Sequence, residues 1–168
     1  MMQKSYGAVE RFDGIQKIGV RRHEVFYGLF EDEGGKYNFR GTVEYRPSLE
    51  EIKEMIVEAI NKDVDQTILS GFVWTDGEGN KYPVWLSTEN QFNYKSAYDI
   101  AVQTGGMGLP LTFKFGTTER PIYHTFTTLE ELKGFYLSAI QFIQSTYQRG
   151  WAEKDNIDMS NYEHVIEL

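Results

Sequence analysis

The residues best equipped for chemistry are scattered along this chain. Its three histidines, His23, His124 and His164, have no partner among themselves at i,i+3 or i,i+4. A zinc site needs converging ligands, usually at short paired spacings. The histidines therefore read as surface or strand residues. Asp76-Gly77-Glu78-Gly79-Asn80 sets acidic oxygens among glycines and superficially suits calcium. A calcium loop of the EF-hand kind spreads its ligands over about twelve residues and closes with a glutamate. This run is too short for that. Trp74 and Tyr82 bracket it, so a hairpin tip is expected. Gly105-Gly106-Met107-Gly108 offers backbone N–H groups, but phosphate loops precede a helix. These glycines follow one. Carboxylates abound, yet Glu50, Glu51, Glu54, Glu130 and Glu131 fall where helices begin, and there the helix dipole already favours them. No serine sits in a nucleophile elbow. The reading is of a non-enzyme with no catalytic residue, no metal ligand and no cofactor.

Aromatic and amide groups remain. Trp74, Tyr82 and Trp85 can stack on sugars or bases, or anchor a protein partner. They can equally fill a core. With Asp76, Glu78 and Asn80 from the tip, they are the candidate partner-binding residues. Glu89-Asn90-Gln91-Phe92-Asn93-Tyr94 is amide-rich for a helix, and Asn is a poor helix former. Asn90 and Asn93 are expected to be buried at the helix start, bonding the neighbouring hairpin. The alternative is a polar recognition face.

The elements that must position these residues change character at Pro47. Residues 1–46 read as β. Two alternating runs, Ser5 to Phe12 and Ile15 to Val20, flank Asp13-Gly14 and predict a hairpin. Val25 to Phe30 and Tyr37 to Tyr45 flank a second turn. Ser48 and Glu51 form a capping box. It opens a helix with Leu49, Ile52, Ile56, Ala59, Ile60, Val64 and Ile68 on one face, stopped at Gly71. A hairpin follows around residues 76–80, then a helix from Ser87 or Thr88 to about Thr104. A second hairpin spans residues 111–126. Thr128 and Glu131 cap a third helix, and polar, acidic residues end the chain. The two long helices are expected to pack together with both hairpins at one end. The fold class is α+β: a small N-terminal antiparallel β-sheet or docking arm, then a three-helix unit with two inserted β-hairpins. The expected regions are 1–46, 47–154 and an acidic C-terminal tail, 155–168.

Composition narrows the partners. The chain has 168 residues, 15% of them aromatic, with no cysteine and a formal charge of −8. It can bury a core without staples. The absence of cysteine excludes disulfides and thiolate chemistry. Binding to phosphate backbones needs clustered Lys and Arg. The best candidate, Lys17, Arg21 and Arg22, is short and sits beside Glu24, so no nucleic-acid partner is expected. No apolar run suits a signal peptide or reaches the roughly 20 residues of a membrane span. Neither classical secretion nor a membrane partner is expected.

The motif order adds a resemblance. Ser48-Leu49-Glu50-Glu51-Ile52-Lys53, Gly71-Phe72-Val73-Trp74 and Trp85-Leu86-Ser87-Thr88-Glu89-Asn90-Gln91 appear in that order. Tyr98, Leu111-Thr112-Phe113 and Thr128-Leu129-Glu130-Glu131-Leu132 follow. Over about residues 47–153 the chain resembles a phage domain of unknown function, number 4376. The resemblance implies a tail, baseplate or fibre association and brings no catalytic residues. It also implies that Trp74, Trp85, Glu89, Asn90 and Gln91 are a fold signature. The expectation is a virion structural protein, found in the virion and in the host cytoplasm during assembly. It would dock on other virion proteins as a homo-oligomer or in many copies. The alternatives are a tail-fibre assembly chaperone and a carbohydrate-binding module using the aromatic hairpin.

Overall fold

A computed structural model describes residues 1–167, an α+β chain that divides into two compact units. The first unit holds Met1–Asp63 and the residues from Gly150 onward; the second holds Val64–Arg149. This division differs from the expected boundary at Pro47, and the reason lies in helix α1, Leu49–Ser70. Its first turns belong with the N-terminal sheet, because the apolar stripe predicted from sequence is what covers that sheet.

The first unit is built on a five-stranded sheet in the order β1-β4-β3-β2-β9. Its strands are β1 (Gln3–Tyr6), β2 (Gly14–Lys17), β3 (His23–Asp32), β4 (Gly35–Val43) and β9 (Val165–Glu167). Ile15, Val25, Tyr27, Tyr37 and Phe39 are buried, as are Ile52, Ile56, Ala59 and Ile60 of α1. Polar ties fix the helix to the sheet. Lys4 reaches Asp63 at 2.8 Å and Asp32 at 2.9 Å, and the Tyr37 hydroxyl donates to Asp63 at 3.3 Å. Burial opposes the Lys4 charge, but the bonds to Asp63 and Asp32 hold its pKa above the usual lysine range. The end of α3 (Leu129–Asp155) contributes Glu153, which accepts from the Tyr27 hydroxyl at 3.0 Å. Burial, then the Glu153 charge, pushes that phenol up to about 12.

Two expectations are corrected here. The predicted hairpin around Asp13-Gly14 does not form. β1 pairs with β4 and β2 pairs with β3, so the connecting segment crosses the sheet instead of folding back. Asp13 is engaged elsewhere: its carboxylate accepts from the Gly28 N–H at 2.6 Å, where β3 bulges between Tyr27 and Phe30. The acidic tail is also structured. A 3₁₀ turn, Met159–Tyr162, buries Tyr162, whose hydroxyl donates to the Phe26 carbonyl at 2.8 Å. β9 then pairs in parallel with β2, Val165 opposite Ile15. The last position of that tail, 168, lies outside the described residues.

The second unit contains two hairpins and α2 (Thr88–Gln103), together with parts of α1 and α3. β5 (Phe72–Thr75) pairs with β6 (Lys81–Val84), and β7 (Leu111–Gly116) with β8 (Pro121–Phe126). Gly71 makes the corner from α1 into β5 with a φ of 77°, and a Cβ there would sit 1.7 Å from the Val84 carbonyl oxygen. Only glycine fits that corner. The core is aromatic. Phe135 is fully buried, with ring centroids of Tyr94, Trp74, Phe126 and Phe115 at 5.1, 5.2, 5.2 and 5.6 Å. Phe72 stacks on Phe142 at 5.4 Å, and Arg149 donates to Thr67 at 3.3 Å, so α1 and α3 run antiparallel within this unit. Among the described residues no helix is long and apolar enough to cross a membrane.

Candidate functional site

The β5–β6 tip is organised by one carboxylate. Asp76 accepts from the backbone N–H groups of Glu78 and Asn80 at 2.9 and 2.8 Å. Its other oxygen accepts from the Asn80 amide and the Tyr82 hydroxyl, each at 3.0 Å. Donors to the ionised form favour that form. The Asn80 amide leads them and, against desolvation, Asp76 is drawn down to about 2.

The hydrogen-bond chain continues through His124 on β8. One ring nitrogen lies 3.1 Å from the Tyr82 hydroxyl, and the other lies 2.8 Å from Glu131. Glu131 occupies the third position of α3. Its N–H donates to the Thr128 hydroxyl at 3.2 Å, and its carboxylate accepts from the Thr127 N–H at 3.3 Å. The capping residue of one element thus holds the histidine of another. Tyr82 has one proton and two neighbouring acceptors, Asp76 and His124.

Between tip and helix lies an open cleft of about 810 Å³. Trp74, Tyr82 and Phe135 line it from the core, Asp76, Glu78 and Asn80 from the tip, and Glu130, Glu131, Gly134 and Ser138 from α3. Its charged lining residues are acidic, with His124 the one titratable base. The His124 side chain is 12% exposed and packs edge-on against Phe126 and Tyr82 at 4.6 and 4.9 Å. Its nitrogens are committed to protein partners, so the chain ties tip, strand and helix together. Among the described residues no three His, Asp or Glu side chains group as metal ligands.

The aromatic trio divides. Trp74 and Tyr82 are buried in the core and show the cleft only their margins, so neither ring can stack on a sugar or base. Trp85 is 46% exposed, and its indole N–H donates to the Gly116 carbonyl at 3.2 Å. Glu78 is exposed on the rim, while Asp76 and Asn80 bond each other. The amide run also differs from expectation. Asn90 donates to the Trp85 carbonyl at 3.0 Å and Gln91 to the Leu86 carbonyl at 2.7 Å, whereas Asn93 is exposed. Ser48 and Glu51 exchange bonds at 2.7 and 3.2 Å at the start of α1. His124 and the second role of Glu131 were missed from the sequence. The capping box marked Glu131, but nothing local marked the strand histidine its free oxygen would meet.

Two helix-anchored hairpins closed over an aromatic core, with an acidic cleft at one tip, define an α+β class of module whose polar groups are mostly spent internally. The chain belongs to the family described as Domain of unknown function (DUF4376), whose model matches residues 51–167. The match runs past the expected limit near residue 153 and takes in the 3₁₀ turn and β9. No curated protein and no solved structure shows a significant match to the chain.

Proposed function

We propose that this chain is a non-enzymatic structural component of a bacteriophage particle, associated with tail, baseplate or fibre and docking on other particle proteins in many copies. One observation carries the docking part. Residues 100–113 contain no Asp, Glu, Lys or Arg, in a chain of which 25% is charged. This stretch exposes Ile100, near the end of α2, and Met107, just beyond it, at 58 and 74%. Interface centres are depleted of charge, and exposed apolar patches mark contact surfaces. The commitment of His124, Glu131 and Asp76 to one another supports a non-catalytic reading. The particle assignment rests on the order of the sequence motifs.

Mass spectrometry of purified particles tests the proposal, with the chain expected among the virion proteins. Presence in infected lysate but absence from mature particles replaces the structural reading with the assembly-chaperone one. The sugar-binding alternative is not favoured, because two of its three rings are buried.

A further inference from the structure

We propose that the cleft of the second unit binds a basic peptide segment of a partner protein, with a lysine or arginine side chain at its acidic rim and a peptide carbonyl at its floor. The proposal rests on the docking reading and names the chemistry that one surface of this module recognises.

The floor supplies the first observation. Trp74 is 6% exposed and lines the cleft. Its indole N–H has no acceptor among the described residues, unlike that of Trp85. Yet among the described residues no fully buried side-chain nitrogen or oxygen lacks a partner. The Trp74 donor is therefore not sealed from solvent, and the cleft is a space that Trp74 lines. In the free chain water serves that donor, and a carbonyl that arrives with a partner can take the place of the water.

The rim is a separate observation. Glu78 and Glu130 are exposed, and neither has an ion-pair partner among the described residues; no Lys or Arg lines the cleft. An anion is repelled by these carboxylates and those of Asp76 and Glu131. A bare inorganic cation or a polyamine matches the rim but brings no acceptor for the indole. A lysine or arginine residue within a peptide brings both, and about 810 Å³ accommodates such a residue with its neighbours.

Gly134 bears on the same space. It lies within α3, where glycine is unfavourable. A Cβ there meets nothing within 4 Å, and its backbone is not in the left-handed region. Neither packing nor conformation calls for glycine. Its missing side chain keeps the cleft clear between Phe135 and Ser138.

The test uses the full chain labelled with nitrogen-15, whose three indole N–H resonances are assigned through single Trp→Phe variants. The probe is acetyl-Gly-Lys-Gly-Lys-Gly-amide, compared with the same peptide carrying norleucine for lysine. The lysine peptide is expected to shift the Trp74 resonance saturably and leave Trp85 and Trp151 in place. Gly134→Leu, which puts a side chain into the cleft beside Phe135, is expected to abolish the shift. Glu78→Gln with Glu130→Gln is expected to weaken binding at least about tenfold. Both variants are checked for an unchanged circular dichroism spectrum. An unmoved Trp74 resonance, an equal shift with the norleucine peptide, or full binding by folded Gly134→Leu overturns the proposal. An unmoved resonance in a chain that still purifies with particles overturns the cleft and leaves the docking reading standing.

Discussion

Asp76 shows how a residue that looks like a ligand from sequence becomes a scaffold. Four donors converge on its carboxylate, three from its own turn and one from Tyr82. Composition and glycine spacing identified the turn. They did not show that the acid is consumed in building it, because the Tyr82 hydroxyl arrives from the returning strand. The consequence is a pH dependence. The folded-state pKa, about 2, lies below the ordinary value of 3.8. A depressed carboxylate stabilises the folded state fully above its unfolded pKa, and that contribution is lost as pH falls toward the folded value. Asp76→Asn should destabilise the chain at neutral pH and flatten the stability loss between about pH 4 and about pH 2. Urea denaturation at a series of pH values, followed by tryptophan fluorescence, checks both effects. Equal acid sensitivity in variant and parent would remove Asp76 from the account.

Elements were legible where local chemistry decides them. The caps at Ser48, Ser87 and Thr128 and the stop at Gly71 are short-range features, and helices begin and end there. Strand pairing was not legible in the same way. The alternation on either side of Asp13-Gly14 suits a hairpin, but β4 and β3 offer longer partners, and the Gly28 bulge claims the Asp13 side chain. Alternation shows that a segment is extended and half-buried; it does not name its neighbour. The corner at Gly71 gives a test at this scale. The left-handed conformation costs a residue with a Cβ roughly 1–2 kcal/mol. The contact with the Val84 oxygen at 1.7 Å adds to that, since it lies against backbone. Gly71→Ala should therefore destabilise by more than about 2 kcal/mol in urea denaturation. A smaller loss would mean that the hairpin can shift away from α1 at little cost.

At the scale of the whole chain, the C-terminal return was the least legible feature. β9 is 3 residues long and pairs in parallel with β2 near the other end of the sequence. So short a run among acidic residues carries no pattern of its own, and its placement depends on Tyr162. That ring is 2% exposed, and its hydroxyl bonds the Phe26 carbonyl, so burial holds its pKa far above the usual range. The Asp158 side chain positions the turn that delivers it, accepting from the Ser160 N–H at 3.0 Å. The segment thus belongs to the sheet that opens the chain, although it follows α3. Deleting residues 159–168 should uncover β2 and leave the Phe26 carbonyl without that donor, a loss of about 0.5–1.5 kcal/mol from that bond alone. Hydrogen exchange by mass spectrometry should then show faster exchange in residues 14–27. Peptides covering Trp74, Phe115 and Phe135 should keep their protection, because those rings pack among themselves within the second unit. Uniformly faster exchange would mean that the two units unfold as one, and unchanged exchange in β2 would mean that β9 contributes nothing to the sheet it joins.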